Sequence, residues 1–169
     1  MTTTTMQIER REPALGATVT GVDLGKLDDA MFEVLHAAFL EHHVLCFREQ
    51  DITPDQQLEF AARWGRISVH PYVPSLEGYP GMMEIYQVTG ITETWHADTT
   101  HVAAPPKITM LLARELPEIG GDTMFANMFT STLICRTAST GPYETASSRI
   151  SNTVSRLPSR QSSVSATPK

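Results

Sequence analysis

The sequence predicts a mainly β, α+β domain of the jelly-roll or cupin-like sandwich kind, with two helices near its N-terminus and a patternless tail behind it. Three observations predict this. Two capped, amphipathic segments lie between residues 28 and 65. From there to residue 127 the chain breaks into short apolar runs punctuated by Pro and Gly. Composition then changes abruptly: 18 acidic and 8 basic residues precede Thr130, whereas from Thr130 to Lys169 one acid, Glu144, faces five bases. Ser and Thr fill 17 of those last 40 positions, and such a stretch buries too little apolar surface to offset its chain entropy. The tail from Thr130 is therefore expected to be disordered.

Residues 6 to 24 alternate weakly around Gly16 to Gly21 and suggest one or two short strands. Asp28 or Asp29 is placed to cap a helix whose Met31, Phe32, Leu35, Ala38 and Phe39 keep helical spacing. His36, His42 and His43 fall on that helix or at its end, where surface or packing roles are the ordinary ones. Val44 to Phe47 reads as a short buried strand. Thr53-Pro54-Asp55-Gln56 is a strong helix start: Thr as N-cap, Pro at the first position and Gln three residues after the cap. That helix carries Leu58, Phe60, Ala61 and Trp64 and ends at Gly65. His70 to Pro74 is extended, because each proline also restricts its predecessor. Met82 to Val88 and Glu93 to Thr99 read as strands, and Lys107 to Arg114 as a central strand after the break at Pro105-Pro106. Pro117 and Gly120-Gly121 make a turn into Asp122 to Asn127.

At 169 residues and 41% apolar content the chain has room for one domain with a real core. No run approaches the ~18 apolar residues of a membrane span, and residues 1–6 lack the basic and apolar regions of a signal peptide. Two cysteines make no disulfide framework; Cys46 reads as a buried thiol in an apolar run. A cytoplasmic enzyme is expected. A net charge of −6 argues against nucleic acid as a main partner.

Trp95-His96-Ala97-Asp98 is the most informative segment. Side chains two apart on an extended strand share a face, so His96 and Asp98 can present an imidazole and a carboxylate to one point. Two His and one carboxylate on one face of an octahedral ion, other positions open, mark the non-haem Fe(II) oxygenases. The third ligand would be a distant His. All six histidines lie at or before His101.

The order of features resembles the taurine dioxygenase family of Fe(II)- and 2-oxoglutarate-dependent oxygenases. The matching pieces are Gly16 to Asp23, Val44 to Arg48, Ile52 to Pro54, Gly65 to Pro71 and Trp95 to Asp98. They continue with Pro105-Pro106, Glu115 to Pro117, Gly120 to Thr123 and Ala126-Asn127, over residues 8 to about 128. The resemblance implies a double-stranded β-helix, here incomplete, with His96 and Asp98 as the first two ligands of Fe(II). It implies that Thr123 hydrogen-bonds the far carboxylate of 2-oxoglutarate and that His70 contacts the anionic head group of the substrate. Without the resemblance, His70 is a loop histidine bonded to nearby backbone and Thr123 an ordinary strand residue. Trp95, Met110 and Phe125 are pocket or barrel-wall candidates that core packing explains equally well. His101 is the nearest spare imidazole.

Two departures bear on the substrate. Val73 stands where sulfonate-oxidising members have tyrosine, with Tyr72 one place early, and Thr92 replaces an asparagine. The reaction implied is oxidative hydroxylation of a small anionic organic substrate, such as a sulfonate, sulfate ester or aryloxy acid, with O2 and 2-oxoglutarate as cosubstrates. The distal His and the 2-oxoglutarate arginine of the family fall beyond Met128, where the resemblance stops, so the resemblance bounds the domain at 1–128 and leaves 129–169 as a tail, disordered or out of frame. A frame loss there, or a natural tail, accounts for the switch. The chain is then expected to be inactive alone and to associate with itself or another chain through exposed sheet edges. A non-enzymatic remnant that pairs with another chain, and a cupin-like metal or small-acid binding module, remain as alternatives.

Overall fold

The computed structural model describes residues 5–12, 15–85, 94–115, 123–130, 155–157 and 162–167. Two compact units divide the chain: Met1–Gln50 with Asp122–Leu157, and Asp51–Gly121 with Pro158–Lys169.

In the first unit β1 (Gln7–Arg10) pairs antiparallel with β2 (Ala17–Thr20), Ile8 opposite Val19. On its other edge β2 pairs in parallel with β3 (Leu45–Phe47). A parallel pair needs a crossover, which α1 (Asp29–His42) provides. Asp28 is the N-cap: its carboxylate accepts the Met31 N–H at 2.7 Å, a contact worth about 1 kcal/mol. The helix ends at His43, whose left-handed φ of 64° turns its N–H onto the Phe39 carbonyl at 2.7 Å. Phe32, Leu35 and Ala38 are buried at helical spacing, and Leu35 and Val19 are fully enclosed. Ala17, Thr18 and Val19 are buried in succession, so β2 is covered on both faces. That is why alternation is weak there. Gln50 ties the segments together: Oε1 accepts the Leu24 N–H at 3.0 Å, and Nε2 donates to the carbonyls of Val22 at 2.8 Å and Arg48 at 2.7 Å. Later in the chain β7 (Thr123–Phe125) pairs antiparallel with β8 (Ser155–Leu157). Asn127 then accepts the Thr130 N–H at 3.0 Å.

The second unit starts with α2 (Pro54–Trp64), whose Thr53 and Gln56 form the expected reciprocal capping box. The Gln56 N–H donates to Thr53 Oγ1 at 3.3 Å, and the Thr53 N–H to Gln56 Oε1 at 2.9 Å. A four-stranded sheet follows, built from β4 (Arg66–Ile67), β5 (Met82–Glu84), β6 (Ile108–Leu112) and β9 (Ser162–Thr167). All its pairs are antiparallel and all run through β9. Val164 pairs with Met82 on one edge of β9 and Met110 on the other. Ala61 of α2 and Met82 centre the core, with Leu58, Ile67, Tyr79 and Met110 packed around them. Covering a side chain such as Met82, 2% exposed, is worth roughly 1.5–3 kcal/mol.

Four expectations change. The central place of the sheet belongs to β9, and β6 has β9 as its partner among the described residues. Residues 94–97 are irregular and 98–101 form a turn, so the stretch expected as a strand from Glu93 is a loop where it is described. Cys46 is half-buried. β8 and β9 fall within 129–169, the stretch read as an unpatterned tail. Val88, Thr92, the turn at Pro117 and Gly120-Gly121, and Cys135 lie outside the described residues. No helix among the described residues is long and apolar enough to cross a membrane.

Candidate metal centre

The loop does what the strand was expected to do. His96 Nε2 lies 3.4 Å from Asp98 Oδ1, and the two side chains are 58% and 51% exposed. The turn after Asp98 is closed by the Val102 N–H on the Thr99 carbonyl at 3.2 Å, with Thr99 at φ 48°. A β-branched residue in that region is strained, and the buried Thr99 hydroxyl has no hydrogen-bond partner among the described residues.

The imidazole is oriented by backbone. His96 Nδ1 stands 3.0 Å from the Thr94 carbonyl oxygen. A carbonyl only accepts, so this contact calls for a proton on Nδ1, and in the neutral ring that leaves the Nε2 lone pair for a ligand. A bond of this kind on the far ring nitrogen is the usual partner of a metal-bound histidine. Donor atoms about 2.1 Å from an ion and 3.4 Å apart subtend roughly 110° at it. His96 and Asp98 therefore fit two neighbouring positions on one metal. One imidazole with one carboxylate suits a first-row divalent ion such as Fe(II) or Mn(II). Among the described residues no third His, Cys, Asp or Glu joins them; His101 is exposed in the following turn.

The sequence reading missed Thr109. Its Oγ1 donates to Asp98 Oδ2 at 3.3 Å, so β6 holds the carboxylate oxygen that faces away from His96. The signal was available: Thr109 is the one polar residue in Ile108-Thr-Met-Leu-Leu112, and a polar residue inside an apolar run is the informative one.

His70 accepts the backbone N–H of Tyr72 at 3.2 Å and of Val73 at 3.0 Å on Nδ1, with the Tyr72 ring edge-on at 6.1 Å. Nδ1 thus makes the backbone bonds of the plainer reading, and in the neutral ring the proton is on Nε2. Trp95 is 58% exposed, whereas Met110 is a core residue under α2. Thr123 opens β7 in the first unit, half-buried and opposite Leu157, and Phe125 is half-buried on the same strand.

Residues 7–132 match the model of the Taurine catabolism dioxygenase TauD, TfdA family. The chain belongs to that family, whose members use Fe(II) and 2-oxoglutarate. It is 37% identical over 143 residues to the (S)-phenoxypropionate/alpha-ketoglutarate-dioxygenase of Delftia acidovorans, covering 74% of this chain and 47% of that protein. With the alkylsulfatase of Acinetobacter baylyi it shares 36% over 129 residues, 75% of this chain and 41% of that one. The crystal structure of AAD-2 in complex with Mn(II) and N-oxalylglycine superposes with a TM-score of 0.63 at 27% identity, covering 85% of this chain and 49% of that chain. The chain thus spans less than half the length of the curated relatives it matches.

Proposed function

We propose that this chain is the N-terminal part of an Fe(II)- and 2-oxoglutarate-dependent dioxygenase acting on a small anionic organic substrate: a sulfonate, a sulfate ester or an aryloxy acid. The observation that carries it is the His96–Asp98 pair, 3.4 Å apart with Nδ1 already engaged by Thr94. The family match and the names of the relatives support the reaction class. The match ends at residue 132, close to the boundary at residue 128; residues 1–128 are assigned on this reading to the family's β-helix fold and 129–169 to a C-terminal segment, whose β8 and β9 pair with strands of the preceding part.

On this reading His96 and Asp98 hold the iron, which when bound supplies O2 activation for hydroxylation of a C–H bond. Thr94 keeps the proton on Nδ1 and so keeps Nε2 available. His70, with Nδ1 filled by two backbone donors, offers Nε2–H to the substrate's anionic head group as a neutral hydrogen-bond donor. Thr123 donates its hydroxyl to the far carboxylate of 2-oxoglutarate. The sequence has no histidine after His101, so a complete triad draws its third ligand from chain outside these residues. Two protein ligands hold Fe(II) weakly. The 169-residue polypeptide is therefore expected to be inactive alone.

The test is 2-oxoglutarate consumption by the purified chain, alongside Mn(II) binding with and without His96→Ala. Weak binding lost in the variant, with no turnover, is expected. Turnover that disappears in His96→Ala would overturn the inactivity, and binding indifferent to the variant would overturn the site.

A further inference from the structure

Thr109 has a place in the site that none of the roles above assigns. Neighbouring residues on a strand face opposite sides. Met110 points into the core around Ala61 and Met82, and Thr109 accordingly points to the other face, where its Oγ1 meets Asp98 Oδ2 at 3.3 Å. The backbone of β6 is fixed along its whole length, with five successive residues in register on β9. The loop that carries His96 and Asp98 has no strand pairing where it is described, and it runs into the strained Thr99. The hydroxyl is thus a tie between a loop carboxylate and a rigid strand.

We propose that Thr109 is a positioning residue for the metal centre: it occupies Oδ2 of Asp98 and leaves Oδ1 as the single donor beside His96 Nε2. This role rests on the reading of His96 and Asp98 as metal ligands. A free carboxylate can rotate about its Cβ–Cγ bond and bind through either oxygen or both. A hydrogen bond on one oxygen lowers its donor strength, fixes the rotation and directs the ion to the other. Partners of this kind typically change metal affinity by 10–100-fold. Threonine suits the place twice over, since its branched Cβ favours the strand while its hydroxyl supplies the donor.

The test is a Mn(II) titration of the full chain, read by the EPR signal of the free ion, on the wild type and on Thr109→Val, Thr109→Ala, Thr109→Ser and His96→Ala. Valine keeps the shape and removes the hydroxyl; serine keeps the hydroxyl and removes the methyl. Val and Ala variants are expected to bind about tenfold more weakly, and the Ser variant like the wild type. Far-UV circular dichroism should be the same throughout. Unchanged affinity in Thr109→Val or Thr109→Ala, while His96→Ala loses binding, overturns the role of Thr109 alone. A Ser variant as weak as the Val and Ala variants also overturns it, because the effect would then come from packing. Mn(II) binding that His96→Ala leaves intact overturns the metal site itself and this role with it. If the Val variant does not fold, the Ala–Ser pair decides.

Discussion

Nε2 of His96 and Oδ1 of Asp98 stand 3.4 Å apart on a loop, each side chain about half exposed. Their approach owes nothing to sheet pairing. It comes with the Thr94 carbonyl behind the imidazole and the turn that starts at Asp98. A site with two donors and much solvent is a weak chelator, because water competes for every remaining coordination position. His96→Ala and Asp98→Ala should each lower Mn(II) affinity by about tenfold or more, and His101→Ala should leave it unchanged. Calorimetric titration of the three variants decides. A large loss in His101→Ala would mean that the exposed imidazole joins the ion.

Gln50 is the main polar clasp of the first unit. Its amide satisfies the Leu24 N–H and the Val22 and Arg48 carbonyls together. Leu24 and Val22 are buried, so water reaches these groups poorly once the amide is gone. Gln50→Ala should destabilise the fold by about 1–3 kcal/mol, the cost of leaving such groups unsatisfied. Urea denaturation measures it, and a cost below about 0.5 kcal/mol would show that water replaces the amide freely.

The helices were legible because their signals are local. Thr53, Pro54 and Gln56 name both the start of α2 and its reciprocal cap within four residues. The closeness of His96 and Asp98 was expected from a two-residue offset on a strand, and in the structure it arises on a loop instead. β9 was not legible. Ser162 to Thr167 alternates only through two small residues, Val164 and Ala166, among Ser and Thr, and its place between β6 and the β4–β5 edge rests on backbone pairing with residues 50 to 101 positions away. Thr109 stood out as the one polar residue of its run, but what it bonds did not. Its partner is eleven residues distant, and only the fold brings them together.

Asp23 and Lys26 form an exposed pair at 2.9 Å, and the same Asp23 carboxylate caps a short 3-10 turn, Leu24–Lys26, by accepting the Gly25 N–H at 2.9 Å. The Lys26 hydrogen bond, then that of Gly25, holds the Asp23 carboxyl below the usual carboxylate range, and the Asp23 hydrogen bond raises Lys26 above the usual lysine range. For Asp23 the folded value is the lower one, so its stabilisation is present above the unfolded carboxylate value and lost as pH falls through the folded one. For Lys26 the folded value is the higher one, so the stabilisation is present below the unfolded lysine value and lost as pH rises through the folded one. The pair therefore acts across the whole neutral window, and salt weakens it. Lys26→Met should move the Asp23 carboxyl up toward its ordinary value, less than fully because Gly25 still donates. A carboxyl-carbon NMR titration that finds no movement would show that the pair does not persist in solution.

Gly78 and Gly81 offer a controlled comparison, because both hold the left-handed region, at φ 80° and 84°. An L side chain is strained there whatever the space around it, by about 1–2 kcal/mol. At Gly78 an added Cβ meets nothing within 4 Å. At Gly81 it would collide with Cγ2 of Ile67 and come 3.1 Å from the Ser68 carbonyl oxygen. Neither neighbour can easily yield, since Ile67 is β-branched and packed on the Ala61–Met82 core and the other is backbone. The Gly81 N–H also donates to Ser75 Oγ at 3.0 Å, in a turn where the Leu76 N–H reaches the Met82 carbonyl at 2.7 Å. Gly78→Ala should cost only the conformational strain. Gly81→Ala should add an overpacking cost of about 1–3 kcal/mol, and a shift of Ile67 would carry the disturbance into the Met82 core that Met110 shares. Denaturation midpoints of the two variants, measured at equal slope, separate the contributions. Equal losses would mean that the turn moves aside and that Ile67 is not held as tightly as its packing on the Ala61–Met82 core implies.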